Sequence, residues 1–344
     1  MRRLALVLGT VAWVAAAAGG SPGATVLAPS VRVSTAAGTL LTIPTPELAA
    51  LPQQTVTVPI GGEPTTETGP TLASLLAYAG VQYNAACKND ELRWWIEVTS
   101  ASGAAAVVTA GEIDPGFGNK PAILSLDEDG RFLTLSGPRL VVPNDDGARD
   151  LRQVRTVTVG RAPAQLPSAT PACAASGLVA PPPPGSVTVN GDVSHPVTLS
   201  FDQLQALPQV TQTDSFLSGS SSTTVTEVGP TLASVIAMAR PKVLACDPTD
   251  DLRFYVEVTS GEDGYAALLS FHELDPAGDN DNALLSLAEN GISQASVGPR
   301  LTVPGDVRGG RYVSGSAVVT VFRAPTETPI PSCRKATTRR GGNR

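Results

Sequence analysis

Two histidines and four cysteines are the residues of this 344-residue chain most able to do bond-making chemistry. His272-Glu273 begins like a zinc-protease helix, but that motif needs a second histidine three residues after the glutamate, and Pro276 stands there. A serine nucleophile would need His195 or His272 as its base, and His195 lies against Pro196 in a strand turn. The stretch 275–282 is acidic enough to attract calcium, yet it lacks the twelve-residue ligand spacing and reads as a solvated loop. No Cys-x-x-Cys pair suggests a thiolate-held metal, and no glycine-rich loop joins a strand to a helix as a phosphate cradle. The residues alone therefore predict no catalytic group and no metal ligand set.

The elements around these residues are given twice. Gly-Pro-Thr-Leu-Ala-Ser-Leu-Leu-Ala from Gly69 to Ala77 returns, with Val-Ile for Leu-Leu, from Gly229 to Ala237. Trp95 to Ser100 answers to Tyr255 to Ser260, and Gly137-Pro-Arg-Leu to Gly298-Pro-Arg-Leu. The cysteines follow the same rule, Cys87 matching Cys246 and Cys173 matching Cys333. One disulfide per copy, Cys87–Cys173 and Cys246–Cys333, is the pairing that asks for no contact between copies. The copies are expected at 28–174 and 187–333, separated by a proline-rich linker at 175–186 that contains Pro181 to Pro184. Each reads as strands, a short helix ended by Pro52 or Pro208, a helix capped by Thr71 or Thr231, and several more strands. The expected class is α+β, two tandem β-rich domains with short helices.

Aromatics are only 4% of the chain, so Val, Leu, Ile and Ala must build the cores. Arg2 and Arg3, an apolar run from Leu4 to Ala18 and small residues up to Ala24 form the layout of a secretory signal peptide over 1–24. That run is short of the roughly 20 residues that span a bilayer, and no other segment is long enough, so the mature chain is expected to be secreted without a transmembrane segment. The net charge of −7 argues against a nucleic-acid partner. The basic tail 334–344 reads as disordered, with a cell-surface partner as its functional alternative.

Taken in order, Leu-x-x-Leu-Pro, Gly-Pro-Thr-Leu-Ala, Asp263-Gly-Tyr265, Phe271-His-Glu-Leu274, Asn290-Gly291, Gly298-Pro-Arg-Leu301 and Gly309-Gly-Arg-Tyr312 resemble the molybdopterin-binding domain of sulfite-oxidase-like oxidoreductases. The closest resemblance is to the short exported members, and it covers nearly all of both copies. The family fixes its molybdenum with a cysteine thiolate, whereas 57–63 and 211–217 contain no cysteine here, leaving Asp214 and Ser215 as the only local substitutes. The resemblance implies Arg139 and Arg300 as anion contacts, Arg152 where the family often has lysine, and Arg311, Tyr265, Asp263 and His272 as the remaining site residues, mostly in the second copy. The expected function is a non-catalytic binding or structural module for a small anionic ligand or a cell-surface partner, with no cofactor. The alternative is a molybdopterin-dependent oxidoreductase with an atypical metal ligand.

Overall fold

The computed structural model describes residues 29–325 apart from 134–135, 164, 169–172, 174–180, 277 and 279–281. The expected signal peptide, the first half of the linker (175–180), Cys333 and the basic tail lie outside the described residues.

The first half starts with β1 (Ser30–Thr35) and β2 (Gly38–Pro44), then α1 (Thr45–Leu48), β3 (Gln53–Ile60), β4 (Glu63–Pro70) and α2 (Leu72–Tyr78). It continues through β5 (Trp94–Ser100), β6 (Ala105–Thr109), α3 (Ala110–Ile113), β7 (Ile123–Ser125), β8 (Asp127–Glu128), β9 (Arg131–Phe132), β10 (Arg139–Val141) and β11 (Val154–Arg161). The second half repeats the series as β12 (Val187–Gly191), β13 (Val197–Leu199), α4 (Phe201–Gln205), β14 (Val210–Ser218), β15 (Ser221–Gly229) and α5 (Leu232–Ala239). It then runs through β16 (Phe254–Ser260), β17 (Ala266–Ser270), β18 (Leu284–Ser286), β19 (Ala288–Glu289), β20 (Ile292–Ser293), β21 (Arg300–Thr302) and β22 (Ser316–Arg323).

Each half builds a five-stranded sheet, β2-β1-β11-β5-β6 or β13-β12-β22-β16-β17, and a four-stranded sheet, β3-β4-β8-β9 or β14-β15-β19-β20. The expected α+β class is overturned: the chain is mostly β, with 44% strand and 15% helix, in a four-blade, propeller-like arrangement rather than an α+β tandem of sulfite-oxidase type. The physical reason lies in how far the helical spacing runs. The apolar residues behind Thr71 and Thr231 keep helical spacing for only seven and eight residues, and the other helices span four or five. Elsewhere the Val- and Thr-rich segments pair as strands. The stretch from Val31 to Ile43 folds back on itself as the hairpin β1–β2.

In both five-stranded sheets the first and last strands of the half lie side by side in parallel, Val33 opposite Val157 and Val189 opposite Val319. Their apolar faces form two cores, and each core borrows from the other half. Leu92 and Phe117 sit in the second core, and Leu252 sits in the first. Trp95 stacks on Tyr255 at 6.0 Å between ring centres, so the two halves are packed against each other.

Candidate functional site

A cleft of about 390 Å³ opens where the halves meet. The first half contributes Lys88, Asn89 and Phe117, and the second contributes the tip of the β14–β15 hairpin, the turn before β17, Arg300 and the segment leading to Tyr312. Backbone bonds hold these parts in line. Leu217 N donates to Val307 O at 2.9 Å, and Val307 N donates to Phe117 O at 2.8 Å, tying hairpin, loop and first half together. The Gly309-Gly310 pair follows from this closeness. A Cβ at Gly309 would lie 2.8 Å from the Phe216 ring, and one at Gly310 would lie 2.1 Å from the Phe117 ring.

Tyr265 bridges the halves, its hydroxyl donating to Gly310 O at 2.6 Å and accepting from Asn89 Nδ2 at 2.8 Å. Burial, eased by the Asn89 bond and reinforced by Glu91 and Asp263, pushes this phenol up to about 12. Asp263 shapes the turn by accepting the Tyr265 N–H at 2.9 Å. Phe216 and Tyr312 pack with ring centres 4.4 Å apart, and the Arg300 guanidinium lies 5.9 Å and 5.3 Å from them. Tyr312 is buried, its hydroxyl has no hydrogen-bond partner among the described residues, and burial followed by nearby Asp214 and Asp306 raises its pKa. Arg300 is held by Glu289, with Glu227 at 3.8 Å. Lys88 sits 5.4 Å from the Tyr265 ring centre, and among the described residues neither Lys88 nor Arg308 forms an ion pair. Glu262 and Asp263 supply negative charge on another wall. No described lining residue is a histidine or cysteine, so neither a Ser-His pair nor a thiolate is among the groups that line the cleft.

The expected site residues are divided between three places. Arg300, Tyr265 and Asp263 meet in the cleft. Arg139, the counterpart of Arg300, is sealed beneath the first half by Glu67 at 2.9 Å, Glu128 at 3.2 Å and Asp150 at 2.8 Å. Arg152 is 62% exposed and 3.5 Å from Glu128, while Ser314, its counterpart, reaches the cleft. Arg311 and His272 lie in a buried ionic layer between the halves.

That layer is almost symmetric. Arg149 pairs with Asp145 at 2.6 Å and Glu112 at 2.8 Å, while Arg311 pairs with Asp306 at 2.6 Å and with Glu273. Lys120 reaches Glu273 across the junction at 3.9 Å, and Arg149 Nη1 donates to Ser270 Oγ at 3.1 Å. Burial pushes the Glu112 carboxyl up despite Arg149. Glu273 feels the same burial, but Arg311 and Lys120 outweigh it and hold its carboxyl low. Gly111 and Gly118 make room for Arg311, since a Cβ would lie 3.0 Å from its Cδ at one position and 2.9 Å from its Nη2 at the other.

Sequence reasoning missed Lys88, Asn89 and Phe117, because they come from the other half of the chain. Their signal was adjacency, since Lys88 and Asn89 directly follow Cys87, whose disulfide to Cys173 has a Cα separation of 5.4 Å. Cys246 is also disulfide-bonded. Its expected partner, Cys333, lies outside the described residues.

No family model matches the chain, and no curated protein matches it. Among solved structures it is similar to the sulfane dehydrogenase SoxCD from Paracoccus pantotrophus, at 18% identity and a TM-score of 0.34. The match covers 45% of this chain and 42% of that one, an extent that carries no argument about activity.

Proposed function

We propose that the chain binds a small anion bearing a flat or apolar group, without transforming it, in the cleft between its halves. One observation carries this reading. Lys88 and Arg308, neither ion-paired among the described residues, come from opposite halves to flank a cleft walled by Phe117, Phe216 and Tyr312. Guanidinium and ammonium groups supply charge-assisted hydrogen bonds to an anion, and the rings offer faces and edges to an apolar body. A site of this size suits a small molecule.

The donor set does not suit molybdenum. No thiolate lines the cleft, Cys87 is tied up in its disulfide, and the local substitutes stand outside the lining. Ser215 Oγ is bonded to Thr224 Oγ1 at 2.8 Å, and neither Ser215 nor Asp214 is part of the lining. Molybdenum and pterin measured on protein purified from its own host are expected to be absent; near-stoichiometric metal would overturn this part of the reading. Export belongs to the same proposal, since the Cys87–Cys173 disulfide suits an oxidising compartment, and N-terminal sequencing of the mature chain tests it.

Benzenesulfonate is a direct probe of the cleft. Calorimetric titration is expected to show binding that weakens with salt and disappears in a Lys88→Gln, Arg308→Gln double variant, whereas benzyl alcohol does not bind. Equal binding of benzenesulfonate by the double variant would sink the proposal.

A further inference from the structure

We propose that His272 is a proton-operated clasp between the halves, holding the junction when protonated and loosening it when neutral. His272 opens the single turn His272–Leu274 of the second half and is buried. Its Nε2 lies 2.5 Å from Asp145 Oδ1 and 3.0 Å from Asp146 Oδ1, both on the first half. One nitrogen thus faces two carboxylates, an arrangement that favours the imidazolium.

The surrounding charges set the sign. Asp145 and Asp146 favour protonation, Arg149 behind Asp145 opposes it, and Glu273 and Asp275 lie nearby on the same segment. Asp251 belongs to the groove that His272 also lines. Burial works against the proton on His272, yet the hydrogen bond and charge of Asp145 prevail and raise its pKa above the usual 6.5. Asp145 itself would be raised by burial, but His272 and Arg149 hold it well below the carboxylate range, so it stays charged throughout. A histidine raised in this way contributes fully below about pH 6.5 and loses its contribution as pH climbs through the raised value. Glu112, raised by burial, loses its proton over a rise in the same direction and adds a background that does not depend on His272.

The clasp is one-sided. Gly111 occupies the matching position in the first half, where a side chain would run into Arg311 and Leu92. A divalent cation held by Asp145, Asp146 and His272 is disfavoured because Arg149 Nε already lies 2.6 Å from Asp145 Oδ2. A single proton adds only the charge that the carboxylates offset.

The cleft takes walls from both halves, so a loosened junction should also weaken it; this second consequence rests on the binding reading above. The test uses the full oxidised chain and the amide of Val307, whose bond to Phe117 O crosses the junction. Its exchange protection, corrected for intrinsic rate, is expected to fall about tenfold or more from pH 5.5 to pH 8.0, as breaking a buried ion pair across the junction implies. His272→Gln should abolish most of that fall. A pH-independent wild type, or a variant retaining the whole fall, overturns the clasp. Imidazole NMR of the wild type decides the matter without a variant, a His272 midpoint at or below 6.5 being adverse. Zinc chloride that raises the wild-type melting temperature at pH 8.0, but not that of His272→Gln, would replace the clasp with a metal site. Benzenesulfonate keeps its charge over this range, and its affinity should fall in the wild type far more than in the variant. Failure of the probe to bind at any pH rejects the cleft reading, while amide exchange still decides the clasp.

Discussion

Arg139 and Arg300 hold the same position in the two halves, and their surroundings differ at one decisive neighbour. Both begin a strand beside a buried glutamate, Glu67 or Glu227, that also accepts a hydrogen bond from Ser125 or Ser286. The strand returning beside each arginine is anchored by Leu151 against Leu140 or Val313 against Leu301. The residue just before that anchor is Asp150 in the first half and Tyr312 in the second. Asp150 closes over Arg139, leaving its side chain 6% exposed. Tyr312 offers a ring instead of a carboxylate, and Arg300 is left 21% exposed at the cleft. A shared ionic frame was thus kept for structure in both halves, and one residue decides whether it also faces a ligand.

The comparison can be broken in several ways. Gly69→Ala and Gly229→Ala are expected to do the most damage and to do it equally. The added Cβ would lie 2.0 Å from Leu124 O in one half and 2.1 Å from Leu285 O in the other, costing about 3 kcal/mol in urea unfolding. Unequal losses would mean that the two frames are not mechanically alike. Arg139→Ala strands buried Glu67 and should cost about 3 kcal/mol, whereas Arg300→Ala, removed from a more open place, should cost about half of that. Equal costs would contradict the claim that only the first is sealed. Tyr312→Asp imports the first half's arrangement into the second and should reduce benzenesulfonate affinity about tenfold, by removing one ring from the wall and adding a carboxylate that repels the anion. The smallest effect is a control: Thr71→Ala and Thr231→Ala each remove an equivalent cap on Ser74 N or Ser234 N and should cost about 1 kcal/mol apiece.

Local features were legible in the sequence where neighbours in the chain make them. The Thr71 and Thr231 caps and the Cys87–Cys173 pairing needed only short-range chemistry or the internal match between copies. The class was misjudged because Leu72, Leu75 and Leu76 carry helical spacing for two turns, and two turns do not outweigh the surrounding strands. Arg311 was placed with the ligand-facing residues by the family resemblance, and its motif neighbours Gly309 and Tyr312 do line the cleft. Its own side chain turns into the junction, through a gap that Gly111 and Gly118 leave open, and no local pattern announces that gap. Lys88 was invisible for the same reason: its role exists only once Tyr265 of the other half arrives beside it.

The parallel pairing of β1 with β11 and of β12 with β22 also governs the order of events on the ribosome. Neither half can complete its central sheet until its final strand has been synthesised, so β1 waits more than a hundred residues for β11, and β12 as long for β22. Contacts this distant along the chain fold slowly. The waiting strands are rich in valine and have open edges, which makes them prone to pair wrongly in the meantime. The Cys87–Cys173 bond can form only after that wait, and then closes a span of 86 residues, worth roughly 4–5 kcal/mol in lost chain entropy of the unfolded state. It acts as a latch on the first five-stranded sheet once β11 has paired with β1.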